Sequence, residues 1–201
     1  MLPDGCMDLI WNAGELIIAG PDTIAHQPAT GVDPSYTGLR FAPGTAPAIL
    51  GVPAHELRNQ RVPLADVWPA TQVRALTERL HSASLPGAML EEIAAERRQL
   101  AGPPDPLIPE IVRHMRTGTP VAATAAAVGL SERQLHRRCL VAFGYGPKTL
   151  LRILRMQRAL ALARQGIPFA EVAATAGYAD QPHLAREVKA LAGVSLGALV
   201  R

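Results

Sequence analysis

Short apolar runs broken by turn residues open this 201-residue chain, and helical spacing takes over further along. Between residues 5 and 20 the pattern is Met7-Asp8-Leu9-Ile10-Trp11, then Asn12-Ala13-Gly14, then Leu16-Ile17-Ile18-Ala19. Two apolar runs joined by a short Asn/Gly turn predict a β-hairpin. A third strand is expected at 36–41, with Gly20-Pro21-Asp22 and Ala42-Pro43-Gly44 as punctuation. Residues 45–69 read as short helical turns separated by prolines, including 53–57 and 64–68. Helices follow at 71–81 and 88–100, with Val73, Leu76 and Leu80 on one stripe and Leu90, Ile93 and Leu100 on another. Ala101-Gly102-Pro103-Pro104-Asp105-Pro106 cannot continue a helix and predicts a linker.

Beyond the linker one unit is written twice. From Thr119 the chain reads TPVAATAAAVGLSERQLHRRCLVAFGYGP. Thr119 predicts an N-cap with Pro120 at the first helical position. A short Ala-rich helix then stops at Gly129, and Ser131 caps a second helix from Glu132 to about Phe143, a helix-turn-helix pattern. Ala125 lets the two helices cross closely, Gly129 supplies a positive φ for the turn, and Leu135 points back into the shared core. FAEVAATAGYADQPHLAREVKALAGVS repeats this, with Ala173 four residues before Gly177. Leu184 stands seven residues after Gly177, whereas Leu135 stands six after Gly129. After that one extra residue the copies run in step at an offset of 49, pairing Leu135 with Leu184, Arg137 with Arg186, Cys139 with Val188 and Gly144 with Gly193. Between them, residues 147–166 fit one long helix with Leu150, Ile153, Leu154 and Leu160 on one face and Arg152, Arg155 and Arg158 on the other. That arginine face is either solvated or in contact with phosphates, and Arg138, Lys148 and Lys189 are phosphate candidates beside it.

Charge divides the chain in the same place. Residues 1–106 hold 7 Lys+Arg against 12 Asp+Glu, while residues 107–201 hold 13 against 5, so a net +3 conceals an acidic half and a basic half. Fourteen of the 18 prolines lie in residues 1–109, which leaves the basic half free to be helix-rich. The expected fold class is α+β. A small N-terminal β-containing domain at 1–100 (hairpin region 1–44, helical region 45–100) leads through a linker at 101–106 to an all-α domain at 107–201. That second domain consists of two helix-turn-helix units joined by a long helix. There is no apolar run of about 18 residues, so no membrane span is expected. The opening MLPDGCMDLIWN lacks a signal-peptide pattern, and Cys6 and Cys139 lack CxxC spacing, which fits a reducing cytosol.

Chemistry is unevenly distributed. No GxSxG elbow, glycine-rich phosphate loop, HxH or HExxH spacing occurs, so no catalytic residue, metal site or cofactor is expected. His26, His55 and His81 read as surface or satisfied histidines and Cys6 as a small buried hydrophobe. Trp11, Tyr36, Phe41 and Trp68 either pack the core or line a ligand pocket. In the basic half, the second helix of each unit can enter a major groove, and successive groove openings lie about 34 Å apart. The exposed positions there are Arg133, Gln134, His136 and Arg137 in the first unit and Gln181, His183 and Arg186 in the second. Arg and Gln are side chains able to read guanine and adenine edges.

The basic half resembles the AraC/XylS group of bacterial transcription regulators. The likeness covers residues 106–201 and rests on the two units, the RMQRALALARQG bridge and the run A-x-x-x-G-Y-x-D-Q-x-H-L-x-R-x-x-K-x-x-x-G at 173–193. It implies that Arg133, His136 and Arg137, then Gln181, Pro182, His183 and Arg186, face the major groove. Members usually carry an aromatic where Cys139 and Val188 stand, and many have a proline after the last glycine, where this chain reads Gly193-Val194-Ser195-Leu196. The N-terminal half resembles an uncharacterised domain that precedes this module in some regulators, through LPDGCMDLIW, AGPDT and GLRFAPGTAPAILGVPAHELRNQRVPLADVW. Those relatives carry more sequence before LPDG, so the domain is expected to begin upstream of Met1, leaving an unpaired strand edge near residues 2–11.

These observations predict a cytoplasmic, sequence-specific regulator, not an enzyme, whose partner is double-stranded DNA. An effector in the N-terminal domain, RNA polymerase and a second copy of the chain are its further candidate partners. A small-molecule enzyme, revived by a polar pocket around Asp4, Asp8 or Asp22, and an acidic protein-interaction adaptor are the alternatives.

Overall fold

The computed structural model describes residues 1–26 and 36–200; residues 27–35 of the hairpin region and Arg201 lie outside the described residues. Strands β1 (Met7–Asn12), β2 (Glu15–Ala19), β3 (Thr37–Phe41) and β4 (Arg61–Pro63) form one antiparallel sheet in the order β3-β1-β2-β4. The hairpin turn is the two residues Ala13 and Gly14, both at positive φ (48° and 90°), a geometry whose twist matches that of the strands. This sets the register at Asn12 opposite Glu15 and Leu9 opposite Ile18, so Leu9, Leu16 and Ile18 share the buried face. β1 has β2 on one side and β3 on the other. The unpaired edge expected near residues 2–11 is therefore not there: β3 and β4 are the outer strands. β4 was hidden within a proline-broken stretch expected to hold only helical turns. Three residues are too few to alternate visibly, and Pro63 is tolerated because an outer strand has one side without ladder bonds.

Helices α1 (Ala46–Leu50), α2 (Ala70–Ser82) and α3 (Pro86–Leu100), with one-turn 3-10 helices Ala54–Glu56 and Leu64–Asp66, complete the acidic half. Leu9, Ile18, Leu50, Leu64, Leu90 and Ile93 form its fully buried centre. Trp68 and Phe41 are core residues; the indole N–H of Trp68 donates to Leu50 O at 2.7 Å, and Arg97 lies 4.3 Å over its ring. Trp11 is half-buried, edge-on to His81 at 5.0 Å, and Tyr36 is exposed. Leu100, expected on the α3 stripe, is 77% exposed, because the last turn of α3 runs past the core toward the linker.

The basic half holds α4 (Leu107–Arg116), α5 (Val121–Ala127), α6 (Glu132–Phe143), α7 (Pro147–Arg164), α8 (Phe169–Ala176), α9 (Gln181–Ala192) and α10 (Leu196–Leu199). α4 was not among the expected helices, although its buried Ile108, Ile111, Val112 and Met115 have helical spacing. Pro109 disguises it, but in a first turn a missing N–H costs little. Thr119 is not the N-cap of α5. Pro120 takes the extended cap backbone itself (ψ 152°), and the helix starts at Val121. Leu135, Cys139, Ile153, Leu160, Leu184 and Val188 are fully buried in one second core.

The halves touch through small residues and backbone. A Cβ on Gly44 would fall 2.7 Å from the Phe143 ring, and one on Gly144 would fall 3.0 Å from Ala54 O. Gln157 donates to Pro3 O at 2.6 Å, and Ala25 N–H donates to Leu191 O at 2.7 Å. No helix among the described residues is long and apolar enough to cross a membrane.

Candidate nucleic-acid interface

The two units superimpose bond for bond at their turns. Gly129 N–H donates to Ala126 O and Leu130 N–H to Ala125 O; in the second copy Gly177 N–H donates to Ala174 O and Tyr178 N–H to Ala173 O. The offset is 48 up to this point and 49 at the caps Ser131 and Asp180. The extra residue is therefore Ala179. Its N–H, which has no counterpart in the first unit, donates to His183 Nδ1 at 3.3 Å. Both second helices end in left-handed glycines, Gly144 (φ 80°) and Gly193 (φ 72°).

On α6, Arg133 and Arg137 are exposed, and neither makes an ion pair or side-chain hydrogen bond with any described residue. Gln134 is differently placed. Its Oε1 accepts from Ser131 N–H at 2.8 Å while its own N–H donates to Ser131 Oγ at 3.2 Å, a reciprocal capping box. His136 is exposed with its ring against Gly146, where an added Cβ would fall 2.7 Å from Cε1. On α9, Gln181 and Arg186 are exposed, and Arg186 is likewise without a partner among the described residues. Pro182 lies in the first turn. His183 is half-buried and edge-on to Tyr178 at 5.3 Å, and its N–H donates to the Asp180 cap at 2.6 Å.

The phosphate candidates separate into two groups. Arg152 reaches from α7 to Glu187 on α9 with bonds of 2.9 and 3.1 Å, and this holds the Glu187 carboxyl below its usual range. Arg155 donates to Gly177 O at 3.3 Å and lies 4.5 Å over the Tyr178 ring, clamping the turn of the second unit. Arg138 pairs with Asp105 of the linker. Lys148 and Lys189 are exposed and Arg158 half-buried, and none of the three has a side-chain partner among the described residues. Nothing local in the sequence distinguishes Asp105, Tyr178 and Glu187, whose arginine partners lie 23 to 35 positions away.

In the acidic half, the three carboxylates of the alternative polar site, Asp4, Asp8 and Asp22, are paired with arginine. Arg40 bridges Asp4 and Asp8 at 3.0 and 2.8 Å, and Arg61 pairs with Asp22 at 2.6 Å. Burial, with Asp4 alongside, pushes the Cys6 thiol up to about 12, and burial alone does the same to Cys139. Neither is a thiolate at neutral pH. Among the described residues no group of His, Cys, Asp and Glu is arranged to hold a metal ion.

The family described as Helix-turn-helix domain matches residues 124–201, and a domain of unknown function (DUF6597) matches residues 1–63. No curated protein matches the chain. Among solved structures, ToxT from Vibrio cholerae is similar at 10% sequence identity and a TM-score of 0.48, with 98% of this chain and 91% of that chain covered.

Proposed function

We infer that this chain, an AraC-type DNA-binding transcription regulator with an N-terminal domain of unknown function (DUF6597), reads DNA sequence through α6 and α9 in adjacent major-groove segments. One observation carries the reading. Arg138, Arg152 and Arg155 are held by other parts of the chain, whereas Arg133, Arg137 and Arg186, in the first halves of α6 and α9, are exposed and unpaired among the described residues. An unpaired guanidinium in the first half of a second helix is the group that reaches a guanine edge. The 18-residue α7 that joins the two units is about 27 Å long at about 1.5 Å per residue, a length of the same order as the roughly 34 Å of one duplex turn.

In this reading Arg137 and Arg186 contact bases, Arg133, His136 and Gln181 flank them, and Lys148 and Lys189 meet phosphates. Gln134 and His183 shape their helix starts, and Pro182 can donate no hydrogen bond to a base. Residues 1–100 sense or dimerise, 101–106 link, and 107–201 bind DNA in the cytoplasm. RNA polymerase and a second copy of the chain are further partners.

Selection of bound sequences from a random DNA pool tests this. Enrichment of a motif spanning two major-groove segments is the expected result. Enrichment of nothing at moderate salt overturns it.

A further inference from the structure

A cleft of about 800 Å3 opens where the two halves meet. Pro43 and Ile49 line it from the acidic half, Ile108 and Val112 of α4 from the basic half, and linker residues close one side. Its charge is one-sided. Arg98, Arg113 and Arg116 border it against a single acid, Asp105. That carboxylate is already engaged, pairing with Arg138 of α6 and accepting from Leu107 N–H at the start of α4. Arg113 is held by Glu110 at 2.6 Å, whereas Arg98 and Arg116 have no partner among the described residues.

We propose that this cleft binds an apolar small molecule carrying one anionic group, and that its occupancy alters how α6 is held. The size lies within the range of about 300–1,000 Å3 typical of small-molecule sites. The apolar body displaces water from Pro43, Ile49 and Pro109, and the anion meets the two unpaired guanidiniums. A cation would meet three like charges. Asp105 carries the signal, because one side chain is wall of the cleft, acceptor for Leu107 N–H at the start of α4 and partner of Arg138, the neighbour of Arg137. The coupling to α6 rests on the regulator reading above; the binding site does not.

The test uses the full chain and two fluorescent probes, anilinonaphthalene sulfonate and its uncharged counterpart N-phenyl-1-naphthylamine. The sulfonate is expected to bind once per chain, to bind the double variant Arg98→Ala/Arg116→Ala at least about tenfold more weakly, and to lose its site in Ala48→Trp, which fills the cleft. Urea unfolding confirms that both variants remain folded, and an Arg98→Lys/Arg116→Lys variant should recover part of the affinity. Equal binding of sulfonate and neutral amine, or equal binding of the sulfonate by wild type and the double alanine variant, overturns the site. Saturating sulfonate should change affinity for the selected DNA about threefold or more in wild type and not in Ala48→Trp. An unchanged wild-type affinity overturns the coupling. Selection of no DNA sequence would instead remove the regulator reading and leave the probe result standing.

Discussion

Arg152, Arg155 and Arg158 follow one another at three-residue steps on α7 and look interchangeable in the sequence, yet tertiary partners give them different work. Arg155→Ala loses a charge-assisted bond to Gly177 O and a ring contact with Tyr178. We expect it to lower stability by about 1 kcal/mol, allowing for a half-exposed position, and to leave the salt slope of DNA binding unchanged. Arg137→Ala and Arg186→Ala should do the reverse, costing about 1–3 kcal/mol at the selected sequence with thermal stability intact. Competition binding against random DNA separates the cases, and equal affinity of Arg137→Ala and wild type for the selected sequence would remove that residue from the base-reading set. The Arg152–Glu187 pair predicts a pH dependence. Because Arg152 depresses the Glu187 carboxyl in the folded state, the stabilisation is present above the ordinary carboxylate range and is lost as pH falls through the lowered value. Glu187→Gln should therefore be about 0.5–1 kcal/mol less stable than wild type at pH 7, and the two should converge in acid, read by urea unfolding at several pH values.

At the scale of elements, the repeat was legible because its landmarks are chemical necessities. A left-handed turn selects glycine, a helix start selects Ser or Asp, and a shared core selects Ala125, Leu135 and their counterparts. Even the extra residue was visible as six spacings becoming seven, although its place at Ala179 was not. What the repeat could not convey is that its two copies have different neighbours. Gly144 and Gly193 end equivalent helices at similar φ, but a Cβ at Gly193 meets open space while one at Gly144 falls 2.5 Å from the Pro21 ring and 3.0 Å from Ala54 O. Gly193→Ala should cost about 1–2 kcal/mol for the left-handed backbone alone. Gly144→Ala adds an overpacking cost of about 1–3 kcal/mol and should loosen the two halves. Urea unfolding, with proteolysis of the 101–106 linker as the second readout, measures both; equal costs at the two positions would refute a tight seam.

For the whole molecule, the charge split becomes a binding prediction. Of the exposed, unpaired cations, Lys148 and Lys189 are the ones assigned to phosphates and should give a slope of log affinity against log salt of about −2, which Arg133 beside the bases would carry toward about −3. A slope near zero in a salt titration would mean that these side chains do not meet the duplex. Local rules sufficed for the hairpin, the linker, both helix-turn-helix units and α7, because turn geometry, capping and hydrophobic period act over a few residues. The third strand was legible too, whereas β4 needed a partner: it is three residues long and exists only because β2 offers it a ladder. The same distinction runs through the site. Exposure of Arg133, Arg137 and Arg186 follows from helical period and was readable in the chain. The commitments of Arg138, Arg152 and Arg155, the burial of the seam and the cleft beside Asp105 were decided by tertiary structure. Each depends on groups that only packing brings within hydrogen-bond reach, and no local pattern encodes that distance.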